Sequence, residues 1–154
     1  MTRLLTLVVL GIALVSTVGE AKSKRLHVTA EVVEQTFTGD PADLQIGDRL
    51  ITSVELFDYN HMKVGTGVGV CTLVSPSERL QQCLNTAAFA EGHIMFGGLA
   101  PLPEAGAVAQ FGILGGTEEF RKARGEAVLI ITPTRDIDAT IDLNSRIGHD
   151  LVFT

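Results

Sequence analysis

The side chains that could do acid–base, nucleophilic or metal chemistry are thinly spread along this sequence of 154 residues. The histidines, His27, His61, His93 and His149, stand far apart, and no further ligand lies at a spacing typical of a zinc site. The sequence contains neither a Gly-x-Ser-x-Gly nucleophile motif nor a Gly-rich phosphate loop that opens a helix. We therefore expect no metal and no cofactor.

The two cysteines flank a segment that is typical of a tight turn, residues 75–79 (SPSER). A hairpin centred on Ser77 places Cys71 directly opposite Cys83, which predicts a disulfide across two strands. Closing a loop of about a dozen residues contributes roughly 2–3 kcal/mol of stability. Two buried free thiols are the alternative. The same register makes three further pairs: Val70 with Leu84, Val74 with Leu80, and Gly65 with Phe89.

Short alternating runs of Val, Ile, Thr and Phe, separated by turn residues, continue along the chain, and no segment has sustained helical periodicity. This pattern predicts an all-β protein, a small sandwich or a closed antiparallel barrel of about eight strands. The predicted strands cover residues 26–37, 48–57, 63–74, 80–90, 93–99, 107–114, 119–131 and 137–143, with a short final strand at 150–153.

A second turn, Glu-Gly, predicts a hairpin that places Phe89 opposite Ile94 and Ala87 opposite Phe96. The two hairpins together give a sheet with two apolar faces, one with Phe89 and Phe96 and the other with Met95. Either face can line an interior, so Phe89, Met95 and Phe96 are the candidate ligand contacts. The remaining face would pack on further structure, such as a second subunit.

The net charge argues against nucleic acid as a partner, and the N-terminal residues bear on membrane attachment and export. Lys and Arg number 12 against 18 Asp and Glu, a net charge of −6, which excludes nucleic-acid binding by bulk charge.

Arg3 precedes an apolar run at residues 4–18 that is too short for a comfortable membrane span. We interpret residues 1–21 as a cleaved signal peptide and residues 22–154 as one secreted domain without a membrane anchor. An uncleaved anchor is the alternative.

Five segments between residues 46 and 131 form a recognisable set: residues 46–49 (IGDR), 56–58 (LFD), 63–67 (KVGTG), 90–94 (AEGHI) and 113–125 (ILGGTEEFRKARG). They resemble the allene oxide cyclase barrel and dirigent protein superfamily. The resemblance implies an eight-stranded antiparallel β-barrel with an apolar cavity, assembled as a trimer or dimer. It also implies binding of a small hydrophobic intermediate, which such proteins cyclise or steer through stereoselective coupling.

The same resemblance singles out Glu118, Glu119 and Arg124 as candidate catalytic residues that would orient a polar group or transfer protons beside the cavity. By their spacing along an extended chain, Glu118 and Arg124 share a strand face and Glu119 does not, whereas a bulge between them would reverse this assignment. A solvated ion pair at the rim is the alternative, and the whole motif can also serve only to shape the barrel. A non-catalytic ligand carrier or a structural extracellular module remain the competing functions.

Overall fold

The computed structural model describes residues 23–134 and 136–144, so the predicted signal peptide and the predicted strand at 150–153 lie outside the described residues. The chain forms a closed antiparallel barrel in which each strand pairs with the next and β8 pairs with β1, which confirms the predicted eight-stranded fold. No helix in the described part is long and apolar enough to cross a membrane. The strands are β1 (Ser23–Phe37), β2 (Arg49–Phe57), β3 (Lys63–Ser75), β4 (Leu80–Phe89), β5 (Gly92–Pro101), β6 (Val108–Gly116), β7 (Gly125–Ile131) and β8 (Ile137–Asn144).

The β3–β4 hairpin has the predicted register over most of its length. Cys71 lies opposite Cys83, as expected, and the Val70–Leu84 and Gly65–Phe89 pairs are also present. The predicted pairing of Val74 with Leu80 is wrong, because an irregularity after Leu73 shifts the register and places Ser75 opposite Leu80.

The β4–β5 hairpin is displaced by two residues from its predicted register. Phe89 faces Gly92 and Ala87 faces Ile94, so the turn is Ala90-Glu91. Gly92 lies outside the turn, and it allows the connection after β6 to approach closely, since a Cβ there would lie 2.5 Å from the carbonyl oxygen of Thr117. Because a shift of two residues keeps the alternation of side chains, the predicted division into two faces survives the error.

Side chains of different sizes fill the inner wall. Large buried side chains come from several strands, among them Leu56, Ile94 and Phe111. On β3, glycines leave room for side chains from neighbouring strands: a Cβ on Gly67 would lie 2.9 Å from Cγ2 of Val54, and one on Gly69 would overlap the Asn85 amide oxygen. The glycine-rich strand is thus part of the packing.

The barrel has two different ends. One, here called the Phe120 end, carries the connections at residues 58–62, 90–91 and 117–124. The other, here called the pocket end, carries the connections at 38–48, 76–79 and 102–107, together with the one between β7 and β8.

A short 3₁₀ helix (Glu118–Phe120) crosses the Phe120 end, where the sequence predicts a strand beginning at residue 119. Phe120 is only 4% exposed and packs into the core, with its ring 6.1 Å from that of Phe89. Glu118 has a φ of 50°, a left-handed conformation that interrupts an extended chain. The strand prediction is therefore wrong between residues 119 and 124, and the chain there folds over the end of the barrel.

The outer wall divides into an uncharged and a charged half. No Asp, Glu, Lys or Arg occurs in residues 64–74, 80–90, 92–101 or 105–117. Apolar side chains lie exposed there: Val68, Val70, Leu84, Met95, Leu99 and Leu114. In contrast, β8 and β1 carry ion pairs such as that between Arg25 Nε and Asp142 Oδ1, 2.6 Å apart. This hydrogen bond raises the pKa of Arg25.

Candidate functional site

An apolar pocket of about 220 Å³ opens at the pocket end of the barrel. Inward-facing residues at the ends of β1, β2 and β3 form its floor, and the long connections after β1 and β5 form its sides. Most of its lining is apolar, which suits a small hydrophobic molecule. The apolar side chains include Phe37, Leu44, Leu50, Leu73, Leu102 and Pro103.

Among the described residues, three polar ones line the same pocket, and two of them already make hydrogen bonds within the protein. The Gln81 side-chain amide is buried and donates from Nε2 to the carbonyl oxygen of Pro101, 2.8 Å away. The Asp48 carboxylate accepts a hydrogen bond from the backbone N–H of Gln45 at 2.8 Å. Arg79, at the β3–β4 turn, has a side chain that is 58% exposed. This set can orient a ligand but contains no pair of groups arranged for proton transfer.

A disulfide forms part of the pocket wall. Cys71 and Cys83 are bonded, with an S–S distance of 2.05 Å, and Cys71 lines the pocket. The bond joins β3 to β4 on the inner side, next to the turn that carries Arg79. The predicted pairing is therefore present, and the alternative of two free thiols is excluded.

The candidate ligand contacts are divided between the interior and the surface. Phe96 is 6% exposed and packs on Phe111 with a ring-centre distance of 6.0 Å. Phe89 faces inward near Phe120, at the end opposite the pocket. Met95 lies on the outer wall and is 39% exposed, because consecutive strand residues point to opposite faces. A molecule inside the barrel would not contact Met95, so that residue is removed from the set.

The candidate catalytic residues lie at the Phe120 end, away from the pocket. Glu118, Glu119 and Arg124 are all exposed. Arg124 Nη1 donates to the carbonyl oxygen of Ala123 at 2.7 Å, and no ion pair joins the three side chains within the described residues. The predicted sharing of a strand face by Glu118 and Arg124 is wrong, since both precede β7.

Sequence reasoning did not select the polar residues of the inner wall. The register that pairs the cysteines also places Gln81 and Asn85 on the Cys83 face, so alternation along β4 could have found them. The Asn85 amide nitrogen is buried without a hydrogen-bond partner in the described structure. Within residues 23–134 and 136–144, no group of three His, Cys, Asp or Glu side chains could hold a metal ion.

No protein-family model and no curated protein matches the chain in sequence. Solved structures share its fold. A pyocyanin demethylase is 23% identical with a TM-score of 0.69, over 79% of this chain and 100% of its own. The exo-specific intermolecular Diels–Alderase AbnU is 17% identical with a TM-score of 0.68, over 80% and 99%. The Diels–Alderase AbmU from Streptomyces koyangensis is 19% identical with a TM-score of 0.68, over 84% and 68%.

Proposed function

We propose that this protein binds a small hydrophobic molecule through the pocket end of its barrel and guides its cyclisation or stereoselective coupling. The observation that carries the proposal is the difference between the ends: Phe120 fills one, while the other opens into an apolar pocket. The Diels–Alderases AbnU and AbmU, which have this fold, support the choice of cyclisation. Assignment to the allene oxide cyclase and dirigent superfamily belongs to the same proposal.

The pocket suits a reaction that is accelerated by shape. A cyclisation such as a [4 + 2] cycloaddition gains rate when the reacting carbons are held in one folded conformation, and it transfers no proton to the protein. Apolar walls such as Leu50 and Leu73 would restrict the conformations of the bound chain and exclude water. The polar groups at the rim would set its orientation. Catalytic roles for Glu118, Glu119 and Arg124 remain a prediction from the sequence resemblance.

The binding step is tested by filling the pocket. Leu50 lines it, whereas the adjacent Ile51 points outward and is 43% exposed. We expect Leu50→Trp to weaken binding of the fluorescent probe 2-naphthamide by at least about tenfold, since the indole occupies the pocket. The matched variant Ile51→Trp should bind like the wild type. Equal affinity in the two variants would contradict binding at this end.

The guiding step is tested with a linear triene that closes by an intramolecular [4 + 2] cycloaddition. We expect the protein to bias the ratio of product stereoisomers relative to buffer, and Leu50→Trp to abolish the bias. Binding of the triene without any bias would instead favour a non-catalytic ligand carrier.

Two further parts of the proposal concern assembly and location. We propose a homo-oligomer that covers the uncharged outer wall, because contiguous exposed apolar surface is uncommon on monomers. Sedimentation should show a dimer or trimer that Leu84→Glu dissociates.

We also propose export after removal of residues 1–21, supported by their signal-like pattern and by the disulfide. N-terminal sequencing of the protein from its own source tests this cleavage.

A further inference from the structure

The rim of the pocket holds one side chain whose hydrogen-bonding capacity is largely unused. Among the described residues that line the pocket, Arg79 is the cation. The Asp48 side chain is engaged with the backbone N–H of Gln45, and the Gln81 side chain with the carbonyl oxygen of Pro101. The Asp48 carboxylate also packs against Gly39, where a Cβ would overlap it. The guanidinium of Arg79 is therefore the polar group that remains available at this mouth.

The ion pair that Arg79 makes within the protein, with Glu104, is weak. Its Nη2 lies 3.7 Å from Glu104 Oε2, and both side chains are more than half exposed. An ion pair of that length in water-exposed surroundings contributes little, so a better-placed anion can replace it. A guanidinium offers two parallel N–H groups that match the two oxygens of a carboxylate.

The backbone at Arg79 gives an independent indication. Its N–H donates to the carbonyl oxygen of Pro76 at 3.2 Å, which closes the turn, and its φ is 55°. This left-handed position at the end of a hairpin turn favours Gly or Asn, so an arginine there is strained. The Arg79 carbonyl oxygen accepts a hydrogen bond from the N–H of Leu102 at 3.0 Å. This bond holds the strained residue beside the connection after β5, which forms one side of the pocket. Strain of this kind concentrates at functional sites.

We propose that Arg79 is the receptor for a carboxylate on the bound molecule, so that the ligand class is a compact apolar acid. This inference rests on the proposed binding function and adds the chemical group that the pocket selects. The apolar part of the ligand contacts Leu50, Leu73 and Leu102, and its carboxylate lies at the rim on the Arg79 guanidinium. With a net charge of −6 on the whole chain, local attraction by Arg79 is what makes an anion acceptable there.

Two probes of nearly equal shape test the assignment. 2-Naphthoate carries the carboxylate, and 2-naphthamide replaces it with a neutral amide. In fluorescence titrations of the purified protein at low salt, the wild type should prefer 2-naphthoate. That preference should decrease as salt is added, because the rim is exposed.

Substitutions at the rim complete the test. Arg79→Asn suits the left-handed backbone and removes the charge; it should weaken 2-naphthoate binding about fivefold to tenfold and change 2-naphthamide binding by less than about twofold. Arg79→Lys should restore part of the preference, and Glu104→Gln should increase it by removing the competing carboxylate. Arg121→Asn is the matched control, since it changes the net charge equally but lies at the Phe120 end.

The outcomes separate this inference from the proposed function. If 2-naphthamide binds but Arg79→Asn leaves 2-naphthoate binding unchanged, or weakens both probes equally, the carboxylate receptor is wrong and the pocket proposal stands. If neither probe binds the wild type, both proposals are wrong. An equal loss of 2-naphthoate binding in Arg121→Asn would show that only the overall charge matters, which also overturns the role of Arg79.

Discussion

The connections at the two ends of this barrel treat its openings differently: one end is filled and the other is left accessible. At the Phe120 end, the short connection at residues 117–124 turns inward and fills the opening with an aromatic ring. At the pocket end, the longer connection at residues 38–48 surrounds the opening and leaves apolar inner-wall residues accessible. One end thus contributes to the core and the other can contact a ligand, although both close the same eight strands.

The most recognisable sequence motif belongs to the closed end. Its Gly116 allows close packing, since a Cβ there would lie 2.7 Å from Cβ of Phe120. Gly92, from the β4–β5 hairpin, packs against Thr117 of the motif. The motif residues therefore build the connection at residues 117–124, here called the plug, in which Phe120 is buried while Glu118 and Glu119 are exposed to solvent. A conspicuous motif can mark how a barrel is closed, while the proposed binding site lies at the other end, among residues outside that motif.

Removing the plug should have the largest effect on stability. Phe120→Ala deletes a ring that is buried in the core, and we expect the free energy of unfolding to fall by about 3–5 kcal/mol in urea denaturation. Where that variant is too unstable to purify, Phe120→Leu should show a loss of about 1 kcal/mol. In Phe120→Leu, binding of 2-naphthamide should be retained, and its loss would contradict the separation of the two ends.

Removing the disulfide should come next in size and should affect the pocket end. We expect Cys71→Ala/Cys83→Ala to lose roughly 2–3 kcal/mol of unfolding free energy, because the unfolded chain is no longer cross-linked. Since Cys71 lines the pocket, affinity for 2-naphthamide should fall as well. The wild type treated with a reductant is the companion measurement and should approach the double variant. Unchanged stability in both samples would contradict a stabilising role for this bond.

The smallest effect is expected from the exposed charges of the Phe120 end. Glu118→Ala/Glu119→Ala/Arg124→Ala should change the unfolding free energy by no more than about 0.5 kcal/mol for each substitution, because all three side chains are exposed. Binding of 2-naphthamide should not change. The ratio of cycloaddition products decides their chemical role: an unchanged ratio supports the pocket account, and a lost bias would support the catalytic roles that the resemblance implies.

The parts of the fold that the sequence predicts are those set by local alternation. Pairing of Cys71 with Cys83 and the two faces of the β3–β4 sheet follow from a turn and a period of two. The displaced β4–β5 turn shows the limit of this reasoning, since Gly92 is required by a contact with Thr117, which is distant in sequence. Local alternation cannot register such a contact.

The candidate site was less predictable because it depends on tertiary structure. Closure of the barrel decides that Phe96 is inside and Met95 outside, and neither residue type reveals this choice. The pocket is assembled from loop residues and strand ends that are far apart in sequence, such as Phe37, Leu73 and Leu102. Strain at Arg79 appears only in its backbone angle. The candidate catalytic residues that the sequence highlighted, Glu118, Glu119 and Arg124, lie instead in the connection at residues 117–124.

Mapping the contact of 2-naphthamide by NMR on the ¹⁵N-labelled protein tests the comparison most directly. We expect the amide shifts on titration to concentrate at residues 37–50, 71–81 and 102–103, around the pocket, while the amides of residues 117–124 keep their positions. Shifts concentrated at residues 117–124 would instead place the binding site at the Phe120 end and would contradict binding at the pocket end.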